Sequence, residues 1–108
     1  MAFTIEYYHP RILATIESWP VDVVANYTRL VELLANHGPA IGMPHSRAMG
    51  QGLFELRPRG RTGTGRAPYC FVQDHRIVIV HAFLKKTRTT PRHDLAIARQ
   101  RTKEIQRG

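Results

Sequence analysis

The chain has 108 residues, 43% of them hydrophobic, and a formal net charge of +8. That length suits one domain spanning residues 1–108, with a single modest core, and excludes a second unit of similar size. No apolar run is long enough to cross a bilayer, and "MAFTIEYYHP" lacks the basic start and apolar block of a signal peptide, so a cytoplasmic protein without membrane contact is expected. Cys70 is the only cysteine, which excludes a disulfide framework and a cysteine-based metal site and reads as a small buried hydrophobe.

The elements follow in chain order. "AFTIEYY" alternates Phe3, Ile5 and Tyr7 against Thr4, Glu6 and Tyr8, which predicts a strand. "PRILATIESW" carries Ile12, Leu13 and Ile16 at helical spacing. Ser18 and Pro20 then mark a restart, Ser18 as a cap and Pro20 in the first turn. Val24, Tyr27, Leu30, Val31 and Leu34 give a core-facing helix over residues 20–37, stopped by "NHGP". "AIGMPHSRAMGQ" is expected to be a loop. Three strands follow, Leu53–Pro58, Ala67–Gln73 and Arg76–Leu84, in an antiparallel meander. "RIVIVHAFL" is apolar throughout, as in a strand covered on both faces. Pro68 lacks a backbone donor and requires an edge position or a bulge. Finally "TTPRHDLAIARQRTKEIQR" predicts a helix with Thr90 as N-cap and Pro91 at its first position. Its inner face is Leu95, Ala98, Thr102 and Ile105, and its outer face is basic. The order defines a small α+β domain, an antiparallel meander with N-terminal helices packed on it and a C-terminal helix.

The charge is one-sided. Residues 1–54 hold three Arg or Lys against four Asp or Glu, whereas residues 55–108 hold thirteen against four. Such asymmetry points to a polyanionic partner, nucleic acid ahead of anionic membrane, because each neutralised phosphate releases counterions. The plainer reading is a solvated basic surface. Strand alternation places Arg57 and Arg59 on one face of the first meander strand. Arg66 opens the next strand, and Lys85 and Lys86 end the third, so the meander gathers these cations into one patch. Like charges so assembled are tolerated more readily with a phosphate between them.

The linker "RGRTGTGR" is neither a Walker loop nor a dinucleotide fingerprint. It reads as a mobile hairpin connection, and its second reading is a set of N–H groups beside Arg59, Arg61 and Arg66 that touch a phosphate backbone. The six histidines are scattered without ligand spacing, so neither metal nor cofactor is expected. His81 reads as a sheet histidine which, sharing an alternation with Lys85, approaches a substrate. Tyr69, Phe71 and Phe83 read as core, with Tyr69 the one set to stack on a base.

The succession "GLFELRPRG", "GRAPYCFV" and "IVIVHAFLKKTRTTP" before a basic helix resembles the HigB branch, the phage-derived type, of the RelE/ParE toxin superfamily, over nearly the whole chain. The resemblance implies a RelE-like microbial ribonuclease-type fold, and a ribosome-dependent endoribonuclease that cleaves mRNA and blocks translation. It also implies a cognate helix-turn-helix, HigA-like antitoxin. Arg57, Arg66, Lys85 and Lys86 match the family's catalytic positions. Arg57 and Arg66 would clamp phosphate, and Lys85 is the first choice as base, its pKa lowered by those cations. Arg59, Arg61, Tyr69, His81 and Arg88 are the accompanying RNA-binding set. One departure stands out: some members carry a histidine or tyrosine near the C-terminus as acid or base, and no His or Tyr follows Arg99 here. The other reading is a toxin without nuclease activity, a ParE-like gyrase inhibitor, or a basic nucleic-acid-binding module.

Overall fold

A computed structural model of the chain describes residues 2–86 and 88–107; Thr87 of the "KKT" stretch lies outside the described residues. The first expected strand forms as β1 (Thr4–Tyr7), followed by α1 (Pro10–Glu17) and α2 (Val21–His37). The restart falls where Ser18 and Pro20 placed it, but Ser18 closes α1 rather than capping α2, its hydroxyl donating to the Thr15 carbonyl at 2.6 Å. Pro20 stands at the start of α2, where its missing N–H costs nothing.

The segment expected as a loop contains a strand, β2 (Ser46–Gly50), which pairs antiparallel with β3 (Leu53–Leu56), Ser46 opposite Leu56. Its residues are mostly polar or small and it lies at the sheet edge, so no apolar alternation announced it. The sheet continues through β4 (Gly65–Val72) and β5 (Arg76–Ile79) in the order β1-β5-β4-β3-β2. The meander β3, β4, β5 is antiparallel, and β1 pairs parallel with β5.

The third meander strand does not run unbroken from Arg76 to Leu84. It stops at Ile79 opposite Tyr69 and resumes as β6 (Phe83–Leu84), with Phe83 opposite Arg66. Three residues, 80–82, therefore stand against two, 67–68, and the insertion coincides with the donorless Pro68. The Pro68 carbonyl still accepts from Val80 N at 2.9 Å. The proline thus marks a bulge within the sheet.

Helices α1 and α2 cover one sheet face with Ile12, Ile16, Trp19, Val23, Tyr27, Leu30 and Leu34 over Leu56, Ala67, Tyr69, Ile77 and Ile79. Helix α3 (Arg92–Arg107) covers the other, Ala98 packing with Leu53, Cys70, Val78 and Val80. Each such buried aliphatic side chain contributes roughly 1.5–3 kcal/mol. One close approach sets the start of β4: a Cβ on Gly65 would come within 2.5 Å of the Trp19 ring, so only glycine lets the indole lie beneath that strand end. Among the described residues no helix is long and apolar enough to cross a membrane.

Candidate active site

At the end of the sheet beyond the bulge, Arg57, Arg59, Thr64, Arg66, Lys85, Lys86 and Arg88 line one open cavity of about 360 Å³. Backbone pairing assembles them. Arg57 follows β3, Arg66 enters β4 opposite Phe83, and Lys85 N donates to the Thr64 carbonyl at 2.8 Å. Arg66 is 4% exposed, and its Nε lies 3.3 Å from Glu55 Oε1 while Nη1 donates to the Gly65 carbonyl at 2.8 Å. Glu55, on the same strand face as Arg57, also accepts from Thr90 Oγ1 at 2.9 Å. Thr90 therefore ties the approach to α3 onto the site instead of capping the helix. Sequence singles out Thr90 only as a helix cap and Glu55 not at all, although the "ELR" alternation puts Glu55 beside Arg57.

The electrostatics follow from this crowding. Burial, then the neighbouring Arg57, draws Arg66 below the usual guanidinium range, though an arginine keeps its proton. Lys85 is also lowered, first by loss of water contact and then by Arg66 and Arg57, with Glu55 opposing. Among the described residues, Arg57 Nε is buried without a hydrogen-bond partner, while Nη1 touches Met43 Sδ at 3.3 Å. The cluster therefore combines guanidinium donors not wholly engaged by the protein with an amine biased toward its neutral form.

The hairpin between β3 and β4 is tied down rather than mobile. Arg59 N donates to Asn26 Oδ1 at 2.8 Å, and Thr62 gives Asp22 both its N–H and its hydroxyl, at 3.1 and 2.6 Å. Gly60 N and Gly65 N are engaged by the carbonyls of Gly63 and Pro58. These N–H groups cannot also cradle a phosphate. Arg59 lines the cavity, but Arg61 is exposed at the tip beside Asp22 and does not.

Besides Arg61, two more residues expected to meet RNA lie away from this cavity. Tyr69 is fully buried, stacked on Phe54 with ring centroids 5.6 Å apart. Its hydroxyl is 2.5 Å from Ser46 Oγ, and burial pushes its pKa up to about 12, so it has no face to offer a base. His81 sits in the bulge, where Nε2 meets Asp94 Oδ1 at 2.7 Å. It lines a separate cavity with His9, Arg11 and Arg101, and Arg101 donates to the Val80 carbonyl at 2.8 Å. The bulge breaks the alternation that linked His81 to Lys85, and both His81 and Arg101 hold α3 against the sheet.

His45, by contrast, reaches the site without having been anticipated. Its carbonyl accepts from Arg57 N at 2.9 Å, and it lines a second cavity with Asn26, Arg29, Arg57 and Arg59. Recognising β2 is what would have placed it across from Arg57.

The family model of phage-derived Gp49-like proteins matches residues 14–103, and the chain belongs to that family. No curated protein matches it in sequence. Its fold is that of RelE: a chain of the archaeal RelE–RelB complex from Pyrococcus horikoshii OT3 aligns with a TM-score of 0.58 at 17% identity, covering 82% of this chain and 100% of that one.

Proposed function

We propose that this protein is the toxin of a type II toxin–antitoxin pair, with residues 1–108 acting as one HigB-like toxin domain that cleaves mRNA on the ribosome without a metal. The observation that carries this reading is the convergence of Arg57, Arg66 and Lys85 from β3, β4 and β6 around one open cavity. The donor set favours metal-free chemistry, since guanidinium and ammonium groups stabilise phosphate oxygens directly and are poor ligands for a cation.

In this mechanism the 2′-hydroxyl attacks the adjacent phosphorus. Arg57 and Arg66 hold the non-bridging oxygens as charge builds on them. Lys85, biased toward the neutral amine, takes the 2′ proton. Lys86 and Arg88 on the rim, with Arg59, hold flanking backbone. The products are a 2′,3′-cyclic phosphate and a 5′-hydroxyl. Likeness to a RelE chain solved with RelB supports an antitoxin as partner, and we assign it the helix-turn-helix type. The setting for this activity is the cytoplasm.

The test is to incubate the protein with mRNA, with and without translating ribosomes, beside Lys85→Ala. Cleavage only on ribosomes, lost in the variant, is the expected result. Intact ribosome-bound mRNA together with inhibition of gyrase would replace this reading with the ParE-like one.

A further inference from the structure

The cation cluster leaves one chemical role unfilled. Cleavage expels a 5′-alkoxide, which needs a proton, and arginines do not give theirs up. In-line displacement also fixes where the donor stands: attacking and leaving oxygens occupy opposite apical positions on phosphorus. Base and acid therefore belong on opposite sides of the phosphorus whose non-bridging oxygen Arg57 grips.

The two cavities supply that arrangement. Arg57 and Arg59 line both and form their shared wall. Lys85 stands in the first cavity and His45 in the second, which has a volume of about 450 Å³. The second is otherwise lined by Asn26, Arg29 and Leu30 of α2 and by Pro44, so the charged groups facing His45 are Arg29, Arg57 and Arg59. No carboxylate lines either cavity among the described residues. The position of His45 is set by its backbone: the Arg57 N to His45 carbonyl bond continues the β2–β3 pairing in which Ser46 faces Leu56. An imidazole is the side chain suited to releasing a proton near neutral pH, and it is half-buried here.

Resting on the nuclease reading above, we infer that His45 is the general acid that protonates the leaving 5′-oxygen, across the Arg57–Arg59 wall from Lys85. The step balances. The 2′-O–P bond forms as its proton passes to Lys85 Nζ, and the P–O5′ bond breaks with its electron pair on oxygen. That oxygen then takes the imidazolium proton. Both side chains finish in the opposite protonation state, and solvent resets them.

The experiment compares two mRNAs on translating ribosomes in single turnover, one unmodified and one carrying a bridging 5′-sulfur at the mapped cleavage site. A thiol ionises at about pH 8.5 and so leaves without a donated proton. The full-length protein, His45→Ala, His45→Gln and Lys85→Ala are assayed, with folding checked by circular dichroism. Both His45 variants are expected to cut unmodified mRNA about 100-fold more slowly and the sulfur-containing mRNA within a few-fold of wild type. Lys85→Ala should stay slow on both. His45 variants equally slow on both substrates, or as fast as wild type on unmodified mRNA, overturn the assignment and leave the nuclease intact. Wild type inert on both overturns the nuclease reading itself.

Discussion

Two parts of this molecule are rich in cations, and they use them differently. Along α3, Arg99 donates to the carbonyls of Met49 and Gly50, Arg101 donates to the Val80 carbonyl while its Cζ lies 4.8 Å over the Tyr8 ring, and Asp94 holds His81. Tyr8 in turn donates to Glu104. Those charges fasten a helix to a sheet. At the far end of the same sheet, Arg57, Arg59, Lys85, Lys86 and Arg88 surround open space. Arg66 is intermediate, buried against Glu55 yet lining the cavity. A census of basic residues counts both sets alike, but only a donor not already engaged by the protein is available to a phosphate.

The sharpest way to break this contrast is Arg57→Ala against Arg101→Gln. Removing an oxyanion donor should lower the cleavage rate about 100- to 1,000-fold, whereas Arg101→Gln should change it by less than about threefold while the protein stays folded. Next in size, Glu55→Ala leaves Arg66 buried without its partner and should cost about 3 kcal/mol in urea denaturation. A loss no larger than that of a surface substitution would place Arg66 with the open cations.

Lys85 provides a smaller, signed effect. A base acts when neutral, and on the 5′-sulfur mRNA, whose leaving group needs no donated proton, the rate on the ribosome should rise about tenfold per pH unit and level off below the ordinary lysine value of 10.5, because Lys85 is lowered. Lys85→Arg should abolish that rise. The subtlest test is ionic. Arg59→Gln should reduce the slope of log affinity for single-stranded RNA against log salt by about 0.7, and Arg99→Gln should leave it unchanged.

Most of the frame was legible because its elements carry strong periodicity: the stripe of α2, the β-branched run of β5 and the turn chemistry between them. The gathering of Arg57, Arg66 and Lys85 was legible as well, since alternation and hairpin connectivity constrain strand neighbours. What escaped traces largely to one short strand. Ser-Arg-Ala-Met-Gly gives no apolar signal, so β2 read as loop. With it went the Ser46 partner that buries the Tyr69 hydroxyl and the pairing that sets His45 beside Arg57. The displacement of His81 has a different source. Pro68 announced a bulge, but one inserted residue redirects everything after it, and no local pattern told on which strand the insertion falls.

The contact between Gly65 and Trp19 has a practical consequence. The chain has one tryptophan, 5% exposed, edge-on to Tyr27 and lying under the residue that precedes Arg66. The protein thus has an intrinsic optical probe one residue from a candidate phosphate clamp. Indole emission followed while RNA or an antitoxin is added would report, without any label, whether a ligand moves that strand end.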